Sequence, residues 1–370
     1  MTAPQPKPGV LDIPLYAPGR ASLAGVARPI KLSANENALG CSPKATAAFI
    51  EAAKELHLYP DMHAMKLREA IARKYALEEG RLVFGAGSDE LFTIACQTYL
   101  SPGDNAVQPR FGFAAWAIAA QAAGGAIRFA PERNFFVDVD ALLAAVDSKT
   151  RIVFIANPAN PTGTKIPFDE IERLHGALPG NALLVIDGAY SEFADGEGGY
   201  AKEFALARSA PNVLVTKTFS KLYGLAALRI GWGYGAPEII AAMERVRPPF
   251  NTTRPAQAAA VAAIDDDDFM DHSIRHVVAA RDDLSAYFSG CGLEVIPSAA
   301  NFVTVRLGGD GPLTAADAEA ALAAKGILVR GLRNYGMPDC LRVTVGPDES
   351  LAALKSLFDE IVEISGFSPP

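Results

Sequence analysis

Four polar clusters in this chain have the residue types and spacing for chemistry on a bound group, and each closes a short apolar run. Lys221 follows NVLVTKTF, with Ser220 beside it and Arg229 further on. A lysine at a strand end can form an imine with an aldehyde if its amine is kept neutral, while a nearby serine and arginine can bind a phosphate, the arginine bidentately. Asp187 ends ALLVID, with Tyr190 three residues on. A carboxylate closing a buried strand is costly unless paired, and a protonated pyridine nitrogen is a suitable partner; taken singly, such an Asp reads as the cap of a turn. After RIVFIA comes Asn157-Pro158-Ala159-Asn160-Pro161-Thr162-Gly163, whose prolines stiffen a loop that would fix an asparagine amide in one direction, as a phenolic oxygen needs. After RLVF comes Gly85-Ala86-Gly87-Ser88-Asp89-Glu90, where glycines permit close backbone approach and the following helix offers N–H groups to an anion. That last pattern, alone, is often only a turn.

Positioning these clusters requires an open sheet. Apolar helical stretches (44 to 57, 63 to 76, 88 to 100) alternate with the short β-rich runs, which predicts an α/β fold with a mostly parallel sheet covered on both faces. In such sheets ligands gather at the carboxyl ends of the strands, where the four clusters stand. Proline-rich residues 1 to 20 predict an extended arm. After Pro255 come long helices and the runs LEVIPSAANFVTVRL, ILVRGL and CLRVTVG, a smaller α+β unit. The expected division is 1 to 43 as arm and part of the small domain, 44 to 268 as the large domain and 269 to 370 as the small one.

The 370 residues are 50% apolar, enough for a sizeable core, and carry a net charge of −8. That balance argues against a nucleic-acid surface, since such proteins concentrate Lys and Arg. No apolar stretch follows the first lysine, so the reading is a soluble, cytoplasmic protein. Cys41, Cys96, Cys291 and Cys340 lack paired spacing and read as reduced thiols. The run Asp265 to Asp268 reads as a helix start favoured by the dipole, and His272 with His276 as a solvated helix face, so no metal is expected. A nicotinamide-binding fold is disfavoured because Glu90 stands where the third glycine of its fingerprint belongs.

Together the fragments KLSANENALGCSPKA, LYPD, GAGSDEL, ANPANPTG, DGAY, TFSKLYGLAALRIGW and YGMPDCLRVTVG resemble fold-type I aminotransferases that use pyridoxal 5′-phosphate, and within that group the histidinol-phosphate aminotransferases. The resemblance spans nearly the whole chain. It implies Lys221 as the Schiff-base lysine, Asp187 against the pyridine nitrogen, and Asn160 and Tyr190 at the phenolic oxygen. It further implies a phosphate held by the backbone of Gly85, Ala86, Gly87 and Ser88 with Ser220 and Arg229, and by Tyr59 reaching across a homodimer. Arg342, with Arg330 as helper, would grip the substrate's carboxylate or phosphate, and Tyr16 and Asn35 would lie on the substrate side. Phe111 stands where many relatives stack a ring on the cofactor. The usual Asp-Glu-Ala-Tyr reads Asp187-Gly188-Ala189-Tyr190, and the usual proline after Asn-Glu-Asn is Ala38.

The implied reaction is amino transfer between L-histidinol phosphate and 2-oxoglutarate. An aromatic amino-acid aminotransferase, or one enzyme with both specificities, uses the same residues, as does a decarboxylase of a phosphorylated amino acid. A non-catalytic regulator is less consistent with the presence of Lys221, Asp187 and Tyr190.

Overall fold

The computed structural model describes residues 4–194, 199–308 and 311–366. In chain order the strands are β1 (Ile30–Lys31), β2 (Leu82–Gly85), β3 (Asn105–Pro109), β4 (Ala126–Ala130), β5 (Thr150–Ala156), β6 (Leu183–Asp187), β7 (Val213–Thr218) and β8 (Gly231–Gly235). They continue with β9 (Glu294–Ile296), β10 (Phe302–Arg306), β11 (Ile327–Leu328), β12 (Arg330–Leu332) and β13 (Met337–Thr344). Seven form one sheet in the order β2-β8-β7-β6-β5-β3-β4, parallel except for β8, which runs against both neighbours. The fold is therefore the expected α/β one, with an antiparallel strand inserted.

Residues of β5, β6 and β7 alternate between two cores, as the pleat requires. Val153, Ile155, Leu184, Ile186, Val213 and Val215 enter one cluster, and Ile152, Phe154, Leu183, Val185 and Leu214 enter the other. Both faces are dry, which is why these strands read as continuous apolar runs.

A second sheet, β12-β13-β10-β9, is antiparallel throughout. β1 pairs in parallel with β11 in a separate two-stranded sheet. One 3-10 turn, Val10–Asp12, interrupts the otherwise irregular arm, and Leu11 and Leu15 are exposed. The helix Pro43–Ala52 starts at Ser42, whose hydroxyl accepts from the Lys44 and Ala45 N–H groups, with Pro43 in its first turn.

The acidic run does begin the helix Asp267–Gly290, with Asp267 and Asp268 in its first turn. It also ties that helix down: Asp266 takes Ser42 and Lys44, Asp265 takes Arg73 and Asp267 takes Lys74. His272 is exposed as expected, but His276 is not a solvated residue; it is part-buried, with Nε2 at 3.0 Å from the Gly346 carbonyl. The cysteines are free, Cys96 and Cys340 being buried. No helix among the described residues is long and apolar enough to cross a membrane.

The segment after β1 packs against the loop that carries Lys221. Asn37 Nδ2 donates to the Leu222 carbonyl at 2.6 Å. Gly224, at φ +68°, would place an added Cβ only 1.9 Å from the Gly40 oxygen. Backbone cannot yield there as a flexible side chain would, so Gly224→Ala is expected to cost about 2–4 kcal/mol, read as a lowered denaturant midpoint at unchanged slope.

Candidate active site

Because β2, β5, β6 and β7 run the same way, their carboxyl ends share one edge of the sheet. β8 runs oppositely, so Arg229, just before it, reaches that same edge. There a cavity of about 630 Å³ is lined by Asn160, Asp187, Tyr190, Thr218, Ser220, Lys221 and Arg229, facing Arg330 and Arg342 from the second sheet and Tyr335 from the turn between β12 and β13. The arm and the segment after β1 close it with Tyr16 and Asn35.

Burial shifts the titration of several cavity side chains. Loss of solvent, with Arg342 nearby, lowers the Lys221 ammonium to about 8. Its Nζ lies 5.6 Å from the centroid of the Tyr190 ring and 3.5 Å from the Ala34 carbonyl. Burial lifts the Asp187 carboxyl to about 7 against a hydrogen bond from the Ala189 N–H, 3.1 Å from Oδ1. Burial also lifts the Tyr190 phenol to about 12. Such shifts mark groups poised for reaction or for a charged ligand.

Tyr190 is aimed by its neighbours. Its hydroxyl accepts from Asn35 Nδ2 at 3.0 Å, and its ring meets Phe302 edge-on at 5.5 Å. Asn35 sits at φ +55°, held by two hydrogen bonds with the Thr344 hydroxyl, and its carbonyl accepts from Asn301. Arg342 is buried, donating through Nη1 to Asn160 Oδ1 at 2.5 Å and through Nη2 to the Ser33 carbonyl, while its Nε has no hydrogen-bond partner among the described residues. Arg330 donates to the Ala17 carbonyl of the arm.

The family model for class I and II aminotransferases matches residues 27–360. The chain belongs to the class I and II aminotransferases. Among curated relatives, histidinol-phosphate aminotransferase 1 of Caulobacter vibrioides is 52% identical over 96% of this chain and 99% of its own length. The histidinol-phosphate aminotransferase of Maricaulis maris is 48% identical over 93% and 95%. The crystal structure of the Sinorhizobium meliloti enzyme of that name, in complex with pyridoxal 5′-phosphate, superposes with a TM-score of 0.85 at 29% identity, covering 91% of this chain and 92% of that one.

In this aminotransferase the cavity gathers Lys221, Asp187, Tyr190, Asn160, Ser220, Arg229, Ser88, Asn35, Tyr16, Arg330 and Arg342. It does not gather all the expected residues. The Ala86 and Gly87 N–H groups are spent within the loop, on Glu90 Oε2 at 2.6 Å and the Gly85 carbonyl at 2.8 Å, and Gly85 does not line the cavity. The helix Ser88–Tyr99 starts at Ser88 with no side-chain cap on its first N–H groups. Gly87 serves otherwise: a Cβ there would lie 2.5 Å from Arg229 Nη2.

Phe111 is also elsewhere. Its N–H donates to Glu132 Oε1, and its ring packs beside Phe135 and the Tyr335–Met337 cluster. The aromatic that this loop gives to the cavity is Phe113, edge-on to Tyr16 at 6.3 Å. Tyr59 is exposed and stacks on Phe250 at 4.7 Å, away from its own chain's cavity. Phe113, Tyr335, Thr218 and Asp89 line the site without having been singled out from sequence. For Tyr335 the signal lay within YGMPDCLRVTVG, which contains Arg342.

Proposed function

We propose that this aminotransferase uses pyridoxal 5′-phosphate to transfer an amino group reversibly between L-histidinol phosphate and 2-oxoglutarate, giving imidazole acetol phosphate and L-glutamate. The observation that carries the reading is the convergence of Lys221, Asp187 and Arg342 on one cavity, in a chain about half identical to relatives of that name.

The cavity's residues fit the cofactor. Asp187 is a buried carboxylate whose charge is costly without a cationic partner, and a ring N–H would provide one. The loop shaped around Arg229 leaves its guanidinium beside Ser220 Oγ and the helix start at Ser88. Arg229 is paired with Asp89, but both are about half exposed, so a phosphate can replace that weak partner. When bound, pyridoxal 5′-phosphate supplies an aldehyde that receives and returns the amino group and a ring that withdraws electrons.

Lys221 supplies the amine that links to that aldehyde. With its ammonium held down near 8, Lys221 Nζ would also be a neutral base able to take a proton from one carbon and return it at another. Asp187 would be the negative partner of the cofactor's ring nitrogen. Asn160 and Tyr190 offer hydrogen bonds to the phenolic oxygen, with Asn35 fixing Tyr190. Arg342 and Arg330, both buried, offer planar forks to the substrate's phosphate in one half-reaction and to a carboxylate in the other.

Tyr16, Phe113 and Tyr335 give the cavity an aromatic wall, which favours a second reading as an aromatic amino-acid aminotransferase or a dual enzyme. Glutamate-forming turnover separates them. We expect kcat/KM with L-histidinol phosphate to exceed that with L-phenylalanine by at least about 100-fold, roughly 2.7 kcal/mol of transition-state binding. Equal values would establish the broad enzyme.

The reading carries an assembly and an organisation with it. The chain acts as a homodimer in which Tyr59 reaches the partner's cofactor phosphate, a role suited to an exposed ring outside its own cavity. The arm to residue 43 joins the small domain 269–370, as the pairing of β1 with β11 favours, and 44–268 hold the cofactor. Four unbridged thiols favour the cytoplasm.

A further inference from the structure

Lys217 lies inside β7 with 1% of its side chain exposed, and the reaction outlined above makes no use of it. The strand's alternation puts Thr216 and Thr218 on the face that carries Asp187, and Lys217 with Val213 and Val215 on the other. From that face its stem passes under the turn that follows β6. Nζ donates to Ser191 Oγ at 2.5 Å, pairs with Glu192 Oε1 at 2.7 Å and lies 5.4 Å from the centroid of the Tyr200 ring. Ser191 Oγ in turn donates to the Gly188 carbonyl at 3.0 Å.

The missing side chain at position 188 belongs to the same arrangement. A Cβ on Gly188 would stand 3.1 Å from Lys217 Cδ and 3.2 Å from Ser191 Oγ. Gly188 thus leaves room for the lysine stem, which accounts for the departure from Asp-Glu-Ala-Tyr. The turn so anchored runs from Asp187 to Glu192 and presents both Asp187 and Tyr190 to the cavity.

Burying an ammonium is costly even when paired, and removing one member of such a pair leaves an uncompensated charge. Here the cost falls directly behind the site. We propose that Lys217 is a positioning residue for amino transfer: with Glu192 it clamps the Gly188–Ser191 turn so that Asp187 and Tyr190 meet the cofactor. This rests on the reading of the cavity as a pyridoxal-phosphate site. Asp187 feels burial and Asp89 raising its carboxyl, and Lys217 with Lys221 lowering it. Lys217 itself is faced by Glu192 and Ser191 on the turn and by Tyr200 and Glu203 on the helix Gly199–Ser209. Tyr75, on the helix Met65–Tyr75, and Tyr223 complete the surround through Glu192.

The test uses holoenzyme of wild type, Lys217→Met and Lys217→Met/Glu192→Gln, the double variant removing both charges of the ion pair while buried Glu203, which also faces Lys217, stays unchanged in both. Cofactor absorbance is titrated against pH, and kcat and KM are measured. We expect the spectral midpoint to move by about one pH unit and kcat to fall about 10- to 100-fold, with KM for 2-oxoglutarate within about threefold. A folded double variant with wild-type midpoint and kcat overturns the proposal. Should both variants fail to fold, Ser191→Ala, which removes the Ser191 hydroxyl that links Lys217 to the Gly188 carbonyl without touching a charge, decides instead: kcat falls at constant KM, or the proposal is wrong. Wild-type protein that takes up no pyridoxal phosphate would be a failure of the functional reading itself, seen before any variant is made.

Discussion

Replacing Lys221 by alanine is expected to lower turnover by at least about 10⁴-fold, because one amine is both the covalent anchor and the proton carrier. Among the described residues no other amine is placed to substitute. Lys217 points to the opposite face of the sheet, and Lys31, although it lines the cavity, is paired with Glu36 at 2.7 Å. Folding should survive the change, since among the described residues the Lys221 amine makes a single, long hydrogen bond, to the Ala34 carbonyl. The cofactor should still bind without its covalent link, through Arg229, Ser220 and Asp187. Glutamate formation measured beside the thermal midpoint separates loss of chemistry from loss of structure. Activity within about tenfold of wild type would remove Lys221 from the mechanism.

Asp187→Asn is expected to cost about 10²- to 10³-fold in kcat, the scale of losing one preorganised electrostatic partner. Its signature lies in the opposite behaviour of activity and stability. The folded carboxyl, at about 7, lies above its ordinary value of 3.8, so burial opposes its charge. The penalty on the cofactor-free fold is absent below about pH 3.8, grows as pH rises and is complete above about 7. Asparagine never carries that charge. Cofactor-free Asp187→Asn protein should therefore match or exceed wild-type stability in denaturant at alkaline pH, while its turnover collapses. A variant that loses stability and activity together would make Asp187 a structural residue; one that keeps its activity would sink the assigned role.

The parts of this site legible in sequence are those set by strand ends. β5, β6 and β7 are dry on both faces, so their apolar runs stand out and the polar residue closing each is conspicuous. β8 was not readable: Gly231-Trp232-Gly233-Tyr234-Gly235 carries three glycines, and its place beside β2 is a long-range choice. Close packing explains the glycines, since a Cβ on Gly231 would come within 2.6 Å of Ser88 N. β4 was hidden for another reason, being an edge strand with an exposed, mixed pattern.

Loop geometry was less accessible. Phe111 and Phe113 are two residues apart, and nothing in RFGF decides which ring turns inward; the bond from Phe111 N–H to Glu132 does. The glycine loop misled similarly, because Glu90 caps the Ala86 N–H that seemed free for an anion. Asn35 owes its position to Thr344 and Asn301, each more than 260 residues away along the chain. Lys217 did leave a trace, a lysine within NVLVTKTF, since a charge in a buried strand demands a partner.

The covalent role of Lys221 can be observed directly. Wild-type protein saturated with pyridoxal 5′-phosphate, reduced with borohydride and digested, should yield one phosphopyridoxyl-modified peptide, the one containing Ser220 and Lys221, with the modification on Lys221. Modification of any other lysine, or a fully loaded protein from which reduction traps nothing, would contradict the central claim.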